Sequence, residues 1–445
     1  MKLPASMPAS APASAPASVH SLWRASASNA FVSASLEGHV STDVAIIGGG
    51  YSGLSAALHL AQKGVDVQLC EAHSVGFGGS GRNVGLVNAG LWTPPDEVEA
   101  KLGKAAGEQL NQALAAAPEL VFELIQQHNI DCQPVRSGTL HCATNSAGLR
   151  DLKRRLAQQL KRQAPVQLLS SGSTEYRTGS QRFLGALFDP RAGTIQPLAY
   201  AFGLAHAAIN AGAHIHSNSP ALSYVHDGKQ WQITTANGSI SANQLIVASN
   251  AYNTPNPASA HHTSNQQQAY FTPVNYCQFA TAPLSAKQRS LVLPQGEGCW
   301  DTAQVMSSFR LDACGRLILG GVGSLEDQGG KIHIAWARRK LKHLFPKLAN
   351  YKFEYMWSGR IAMTADHLPR MASIGPKGLS LYGYSGRGIG PGTLLGKAAA
   401  NWAMGVAQHQ LPLAVSQPTR ESYTRLKAAY YETGATLTHW LGQRF

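Results

Sequence analysis

The chain has 445 residues, a formal net charge of +13, 44% hydrophobic and 14% charged residues. This predicts two or three globular domains and excludes a disordered or fibrous protein. The basic balance suits nucleic acid, an anionic membrane surface or anionic ligands, but no Lys/Arg run with interleaved aromatics tracks a nucleic-acid backbone, so no nucleic-acid partner is expected.

Residues 1–40 open with an Ala/Pro/Ser tract that lacks the apolar run of a signal peptide, and they are expected to form a flexible extension. From Asp43 the text changes. Val44-Ala45-Ile46-Ile47 reads as a strand buried on both faces. Gly48-x-Gly50-x-x-Gly53 follows and runs into a helical pattern with Leu54, Ala57, Leu58 and Ala61 on one face. Gly64 ends that helix, and Val65, Val67 and Leu69 alternate up to Glu71 as a second strand.

This β-α-β unit carries a dinucleotide fingerprint. Gly48 permits the turn, Gly50 lets the backbone approach a diphosphate, and Gly53 lets helix and strand close on each other. Ser52 lies in the first helical turn, where free N–H groups attract phosphate. Glu71 suits the two hydroxyls of a ribose, with Ala72 beside it.

Further on, Glu97 to Gln127 and Leu149 to Gln163 read as helices and Asp131 to Ala143 as strand. Lys153, Arg154, Arg155, Lys161 and Arg162 have the spacing of one solvated helix face. A helix at Tyr200 to Ala211 precedes short strands at Tyr224-Val225, Trp231 to Thr235 and Leu245 to Ala248, with turns at Asp227-Gly228 and Asn237-Gly238. A basic helix near Trp336 to Leu344 and a helix from Thr393 to Met404 complete the pattern. The six cysteines form no C-x-x-C pair and have no His at zinc-ligand spacing. No metal is therefore expected, and the thiols read as reduced, in a cytoplasmic compartment free or at the face of the inner membrane. No apolar run of about 18 residues predicts a transmembrane segment.

The loop Gly79-Ser80-Gly81-Arg82-Asn83-Val84-Gly85-Leu86 resembles the loop that runs beneath the flavin in D-amino-acid-oxidase-like FAD oxidoreductases. Further resemblances are Ser219-Pro220-Ala221, Leu245 to Tyr252 (with Ala248), Trp357-Ser358-Gly359 with Thr364-Ala365-Asp366, and the terminal glycine loop Gly383 to Gly392. Within that family the chain looks closest to bacterial L-pipecolate oxidases, through residues 79–99 and Ser137-Gly138-Thr139-Leu140-His141.

The resemblance implies an α/β fold: a glutathione-reductase-type FAD-binding Rossmann domain made of 41–97, 195–261 and 356–430. An α+β substrate domain made of 98–194 and 262–355 is inserted into it. It implies FAD as cofactor, held by Gly48, Gly50, Ser52, Gly53, Glu71, Ala72, Gly79, Ser80, Arg82, Asn83, Gly85, Leu86, Ala221, Ala248, Gly386, Gly388, Gly390 and Thr393. It implies hydride transfer from a neutral secondary amine or amino acid to flavin N5, leaving an imine, with lysine-derived L-pipecolate as the leading substrate. A γ-glutamylputrescine-type amine oxidase and a non-catalytic flavoprotein assembly factor are the alternatives.

A carboxylate substrate calls for a guanidinium, and Arg82, Arg310, Arg360 and Arg387 are candidates. Arg82 and Arg387 suit phosphate or reduced flavin as well, and Arg310 and Arg360 suit solvated salt bridges as well. Tyr252, Tyr270, Tyr276 and Trp300 are candidate pocket walls or core. His141 and His367 are two of 17 histidines and read first as ordinary packing. Sarcosine-type oxidases carry a lysine where Gly390 stands, which leaves oxygen or a quinone-type carrier open as acceptor.

Overall fold

The structure, a computed structural model, describes residues 21–252, 270–326 and 329–442. The Ala/Pro/Ser tract lies outside them. One sheet has the strand order Arg370–Gly375, Gly378–Tyr382, Gly238–Val247, Gly38–Ile47, Val67–Cys70, His214–His216. It is parallel from Gly378–Tyr382 onward, and a hairpin of Ser223–His226 and Trp231–Thr234 extends Gly238–Val247. Val44 and Ile46 join a core with helices Tyr51–Ala61 and Pro197–Asn210, while Ala45 and Ile47 join a second core around Trp231 on the other face. Both faces are covered, which is why this strand is apolar throughout instead of alternating.

The second sheet runs Phe353–Met363, Thr272–Pro283, Arg316–Val322, Ser307–Leu311, Gly298–Asp301, Thr139–Ala143, Gly185–Asp189, Gln167–Ser170. Its one parallel junction, Gly298–Asp301 on Thr139–Ala143, joins two distant stretches of chain. Helix Gly330–Leu344 backs it with Trp336, Leu341 and Leu344.

Several boundaries differ from expectation. The break placed between 355 and 356 cuts through the strand Phe353–Met363, which pairs along its length with Thr272–Pro283. Residues from Ser21 onward are packed, not flexible. Trp23 is fully buried, sits edge-on to Trp357 at 5.7 Å, and donates from its indole to the Asn83 carbonyl at 2.8 Å. The long helix expected over Glu97 to Gln127 is three helices, Pro95–Leu102, Lys104–Ala115 and Ala117–Gln127, broken first at Gly103 with φ +82°. Val121, Phe122, Leu124 and Ile125 of the third lie in the same core as Tyr51–Ala61, although 98–194 was assigned to the other domain. Only Thr139–Ala143 of Asp131 to Ala143 is strand. A C-terminal helix, Thr424–Leu441, had no counterpart in the sequence pattern.

Candidate active site

At the carboxyl ends of the parallel strands lies a cleft of about 910 Å³. That falls within the ~300–1,000 Å³ usual for cofactor sites. The glycine loop begins it. Gly48 has φ +112°, and a Cβ there would stand 2.9 Å from the Ala248 carbonyl carbon. A Cβ on Gly53 would stand 1.9 Å from the Gly48 oxygen, so glycine alone lets the helix start here. Gly50 is the N-cap and brings no side chain to the free amides of helix Tyr51–Ala61. The Tyr51 amide is taken by Ser80 Oγ, so the amides of Ser52 and Gly53 are the ones left open at the cleft end of the helix.

Glu71 accepts from the Gly49 amide at 2.7 Å and the His73 amide at 2.9 Å. Burial raises its pKa, and these two donors partly offset the rise. The carboxylate is thus fixed at the strand tip.

The flavin-loop segment is held by one side chain above all. Asn83 donates to the carbonyls of Gly79 and Ser80 and to the Tyr51 hydroxyl, all at 3.0 Å, and accepts from the Gly85 amide at 2.8 Å. Ser80 Oγ accepts from the Tyr51 amide at 3.0 Å, and the Tyr51 hydroxyl donates to the Ser80 carbonyl at 2.6 Å. The helix start and the loop are therefore one hydrogen-bonded unit. Arg82 reaches across it, donating to the Phe77 carbonyl at 2.8 Å and to the Ser358 carbonyl at 3.1 Å. It ties the loop to the second sheet and is not a free fork for a carboxylate.

Of the residues expected at the cofactor or substrate, Gly48, Gly50, Ser52, Glu71, Ala72, Gly79, Ser80, Arg82, Asn83, Leu86, Ala221, Ala248, Tyr252, Arg360, Gly386, Arg387 and Gly388 line this cleft. Four others lie outside its lining. Gly53 sits behind the turn. Gly85, with φ +82°, lies against the Ile195 carbonyl, where a Cβ would come within 2.2 Å. Gly390 faces Ala117 and the Asn88 carbonyl. Thr393 is buried between helices, its hydroxyl donating to the Ile389 carbonyl at 2.8 Å and lying 3.2 Å from the Tyr200 hydroxyl. Its place is in the packing of helix Ile389–Ala403 on Tyr51–Ala61, where Ser55 donates to the Thr393 carbonyl at 2.7 Å.

Tyr276, Trp300 and His367 also line the cleft; Tyr270 instead lies beside Tyr382, ring centroids 6.1 Å apart. His141 is buried behind Trp300, stacked at 5.0 Å. Burial holds its imidazole well below the ordinary value, with Arg155 and Arg387 adding to the effect. The Tyr252 hydroxyl accepts from the Arg360 amide at 2.7 Å, and the Arg360 guanidinium lies over the Tyr252 ring at 5.0 Å.

Arg310 belongs neither to a substrate fork nor to a solvated salt bridge. It is buried, and burial pushes its pKa down to about 10. It donates to the carbonyls of Ile195 at 2.6 Å, Gly85 at 3.0 Å and Leu311 at 3.1 Å, and so pins the second sheet to the flavin loop. Arg310→Met removes every one of these donors. About 1–3 kcal/mol is at stake for each buried acceptor left unpaired. The variant is expected to lose stability in urea and to release flavin on gel filtration; unchanged stability and flavin content would disprove the clamp.

Arg387 is different. It donates to the Ala89 carbonyl at 2.9 Å, and its guanidinium lies over the Trp300 ring at 5.1 Å. Among the described residues no carboxylate comes within ion-pair distance of it. Burial pushes its pKa down to about 9. Two buried polar atoms on the lining also lack a partner, Gln278 Oε1 and Trp300 Nε1. Behind Arg387, Trp300 and Asn88 a smaller chamber of about 150 Å³ adjoins, lined also by His141, Arg155, Arg162 and Arg191. Arg162 meets Asp96, Glu99 and Glu108 there, and Arg155 meets Asp151, so these two are paired rather than merely solvated.

A family model described as FAD dependent oxidoreductase matches residues 43–402. The chain belongs to this family. It is 32% identical to a probable oxidoreductase OrdL of Haemophilus influenzae over 82% of this chain and 83% of that protein. It is 29% identical to the gamma-glutamylputrescine oxidoreductase of Escherichia coli K12 over 92% and 97% of the two chains. The glycine oxidase of Geobacillus kaustophilus has the same fold, with a TM-score of 0.66 at 21% identity over 82% of this chain and 95% of that one. The chain is an FAD-dependent oxidoreductase with the α/β fold expected from its sequence.

The cleft fits that cofactor. First-turn amides beyond the Ser80-capped Tyr51 and a fixed carboxylate at the next strand tip are the donors and acceptor that a diphosphate and a ribose require. Sequence reasoning missed Tyr51 and Trp23 and gave Trp357 only as part of a motif; the three brace the loop from three directions, Trp357 through a 3.0 Å bond to the Arg82 carbonyl. Tyr384, 2.6 Å from Ser52 Oγ, was also missed. No short-range pattern marks a side chain whose partner is far away in sequence.

Proposed function

We propose that this enzyme oxidises the C–N bond of a secondary amine or amino acid to the imine, with L-pipecolate or a related imino acid as substrate. The observation that carries this is Arg387, a half-buried cation on the cleft wall without a carboxylate within ion-pair distance among the described residues. A substrate carboxylate supplies the missing countercharge in forked geometry. Gln278 Oε1, a buried acceptor without a donor, suits the substrate N–H. Trp300 and Tyr276 give an apolar wall that excludes water from the reacting carbon. FAD supplies the hydride acceptor, and the chain's residues orient the amine towards it. No protein base is needed for an amine that binds neutral.

Arg387→Met is expected to raise KM for L-pipecolate about 100-fold with a smaller change in kcat, because a buried charge pair is worth ~2–5 kcal/mol. Steady-state kinetics over a substrate series checks this. Equal KM in the variant and the parent protein removes Arg387 from the substrate.

A second reading is a longer amine of the γ-glutamylputrescine type. The likeness to the Escherichia coli protein supports it, as does the chamber behind Trp300, which offers room for an extended tail. Anaerobic mixing separates the two. Faster bleaching of the 450 nm flavin band by L-pipecolate supports the first, and faster bleaching by γ-glutamylputrescine supports the second. No bleaching by either sinks both. Reoxidation by air against a soluble quinone then identifies the acceptor.

A further inference from the structure

We propose that the C-terminal helix Thr424–Leu441 is a docking surface for an anionic lipid bilayer. This rests on the surface of the molecule and is independent of the substrate assignment.

The helix is held to the body by one face only. Ala435 and His439 are buried. The His439 ring stacks on Trp336 at 3.8 Å, and its Nδ1 lies 2.8 Å from His333 Nδ1. Glu432 accepts from the Asn275 amide group at 3.1 Å and from the Ser324 backbone at 2.9 Å. Arg339 donates to the Gly442 carbonyl at 3.0 Å and closes the helix end. These contacts fix its rotation, so the opposite face cannot turn inward.

That opposite face is apolar. Leu426 is 68% exposed, Tyr430 74% and Leu437 55%, with Trp440 and Leu441 also exposed. Residues 426, 430, 437 and 441 lie close to one line along a helix. Leucine with tyrosine and tryptophan is the composition of helices that lie in the headgroup boundary of a membrane. Among the described residues no helix is long and apolar enough to cross a membrane, so the helix would lie on the surface.

Charge selects the occupant. The neighbouring helix Gly330–Leu344 exposes Lys331, Arg338 and Lys342 and contains no acidic residue. Arg420 and Arg425 are exposed near the start of the C-terminal helix, while its one acid, Glu432, is bonded inward. A second copy of a chain with net charge +13 would bring like charges together, whereas an anionic bilayer pairs with them. Tyr430, Tyr431, Gly434 and Thr438 of the same helix line the cleft, so docking would bring the cleft to the membrane surface.

The test is co-sedimentation of the holoenzyme with vesicles of phosphatidylcholine alone or mixed with phosphatidylglycerol. Binding to the mixed vesicles is expected to exceed binding to phosphatidylcholine about tenfold and to fall with added salt. Leu426→Ser with Leu437→Ser, both on the exposed face and outside the cleft lining, is expected to cut binding about tenfold while flavin content stays unchanged. The proposal is overturned if the parent protein stays in the supernatant, or if the double variant binds as well as the parent. It is equally overturned if gel filtration finds a concentration-dependent dimer that the double variant converts to monomer, since a second copy would then cover this face.

Discussion

Gly53→Ala is expected to yield a protein that purifies nearly colourless. The added Cβ would lie 1.9 Å from the Gly48 oxygen and 3.3 Å from Ile46 Cγ2, against main chain and a buried side chain. Neither can yield cheaply. The helix start must instead retreat by ~1 Å, and overpacking of this kind costs about 1–3 kcal/mol in stability. The larger effect is on FAD, because the amides of the first turn leave the diphosphate together. A misplacement of ~1 Å in a positioned group typically costs about 100-fold. Flavin absorbance per protein after gel filtration should therefore fall to about a tenth or less. Gly172→Ala is the control. Gly172 lies in helix Ser171–Thr178 with nothing within 4 Å of the added carbon, and it should stay yellow and gain roughly 0.5–1 kcal/mol. A yellow, fully loaded Gly53→Ala protein would disprove the account of the turn.

Lys340→Met should be the most destabilising substitution away from the cofactor. Lys340 projects from helix Gly330–Leu344 into the second sheet and meets Asp301 at 2.7 Å, with both side chains almost fully buried. Asp301 also accepts from the Ser307 hydroxyl at 2.5 Å and from the Ser307 amide at 3.0 Å. Removing the ammonium strands a carboxylate in the interior, which costs ~3–5 kcal/mol. Urea denaturation measures that loss. Lys340→Met with Asp301→Leu should recover much of it, since no charge is then left buried and unpaired. A single variant within 1 kcal/mol of the parent would show that water reaches Asp301.

The candidate site was legible in the sequence where its chemistry is local. Gly48, Gly50, Gly53 and Glu71 sit at spacings dictated by one turn, one helix and one strand. The Gly79 to Gly85 loop was legible through its resemblance to the family's flavin loop, and Gly85, at φ +82°, is the position where its backbone calls for glycine. Arg310 was not. Its partners, Ile195, Gly85 and Leu311, come from three separate stretches, and a lone arginine in a strand carries no local mark of burial. Thr393 was expected at the cofactor only through the family resemblance, yet its hydroxyl is spent on its own helix. The helix Thr424–Leu441 escaped because its inward face is Ala435, His439 and the inward-bonded Glu432, while its large apolar residues point outward, so no core-facing apolar stripe stands out.

By itself, the sequence determined the β-α-β nucleotide fold, because backbone sterics tie glycine to particular positions and burial ties apolar runs to covered strands; FAD as the cofactor came from the resemblance of residues 79–86 to a flavin-binding family. Only the tertiary structure decided that Arg387 lies on the cleft wall with no carboxylate within ion-pair distance among the described residues, that Arg310 is locked onto carbonyls, and how the sheets divide the chain. Those outcomes depend on which distant groups meet, and burial and charge pairing are properties of the assembled neighbours rather than of any residue's own position in the chain.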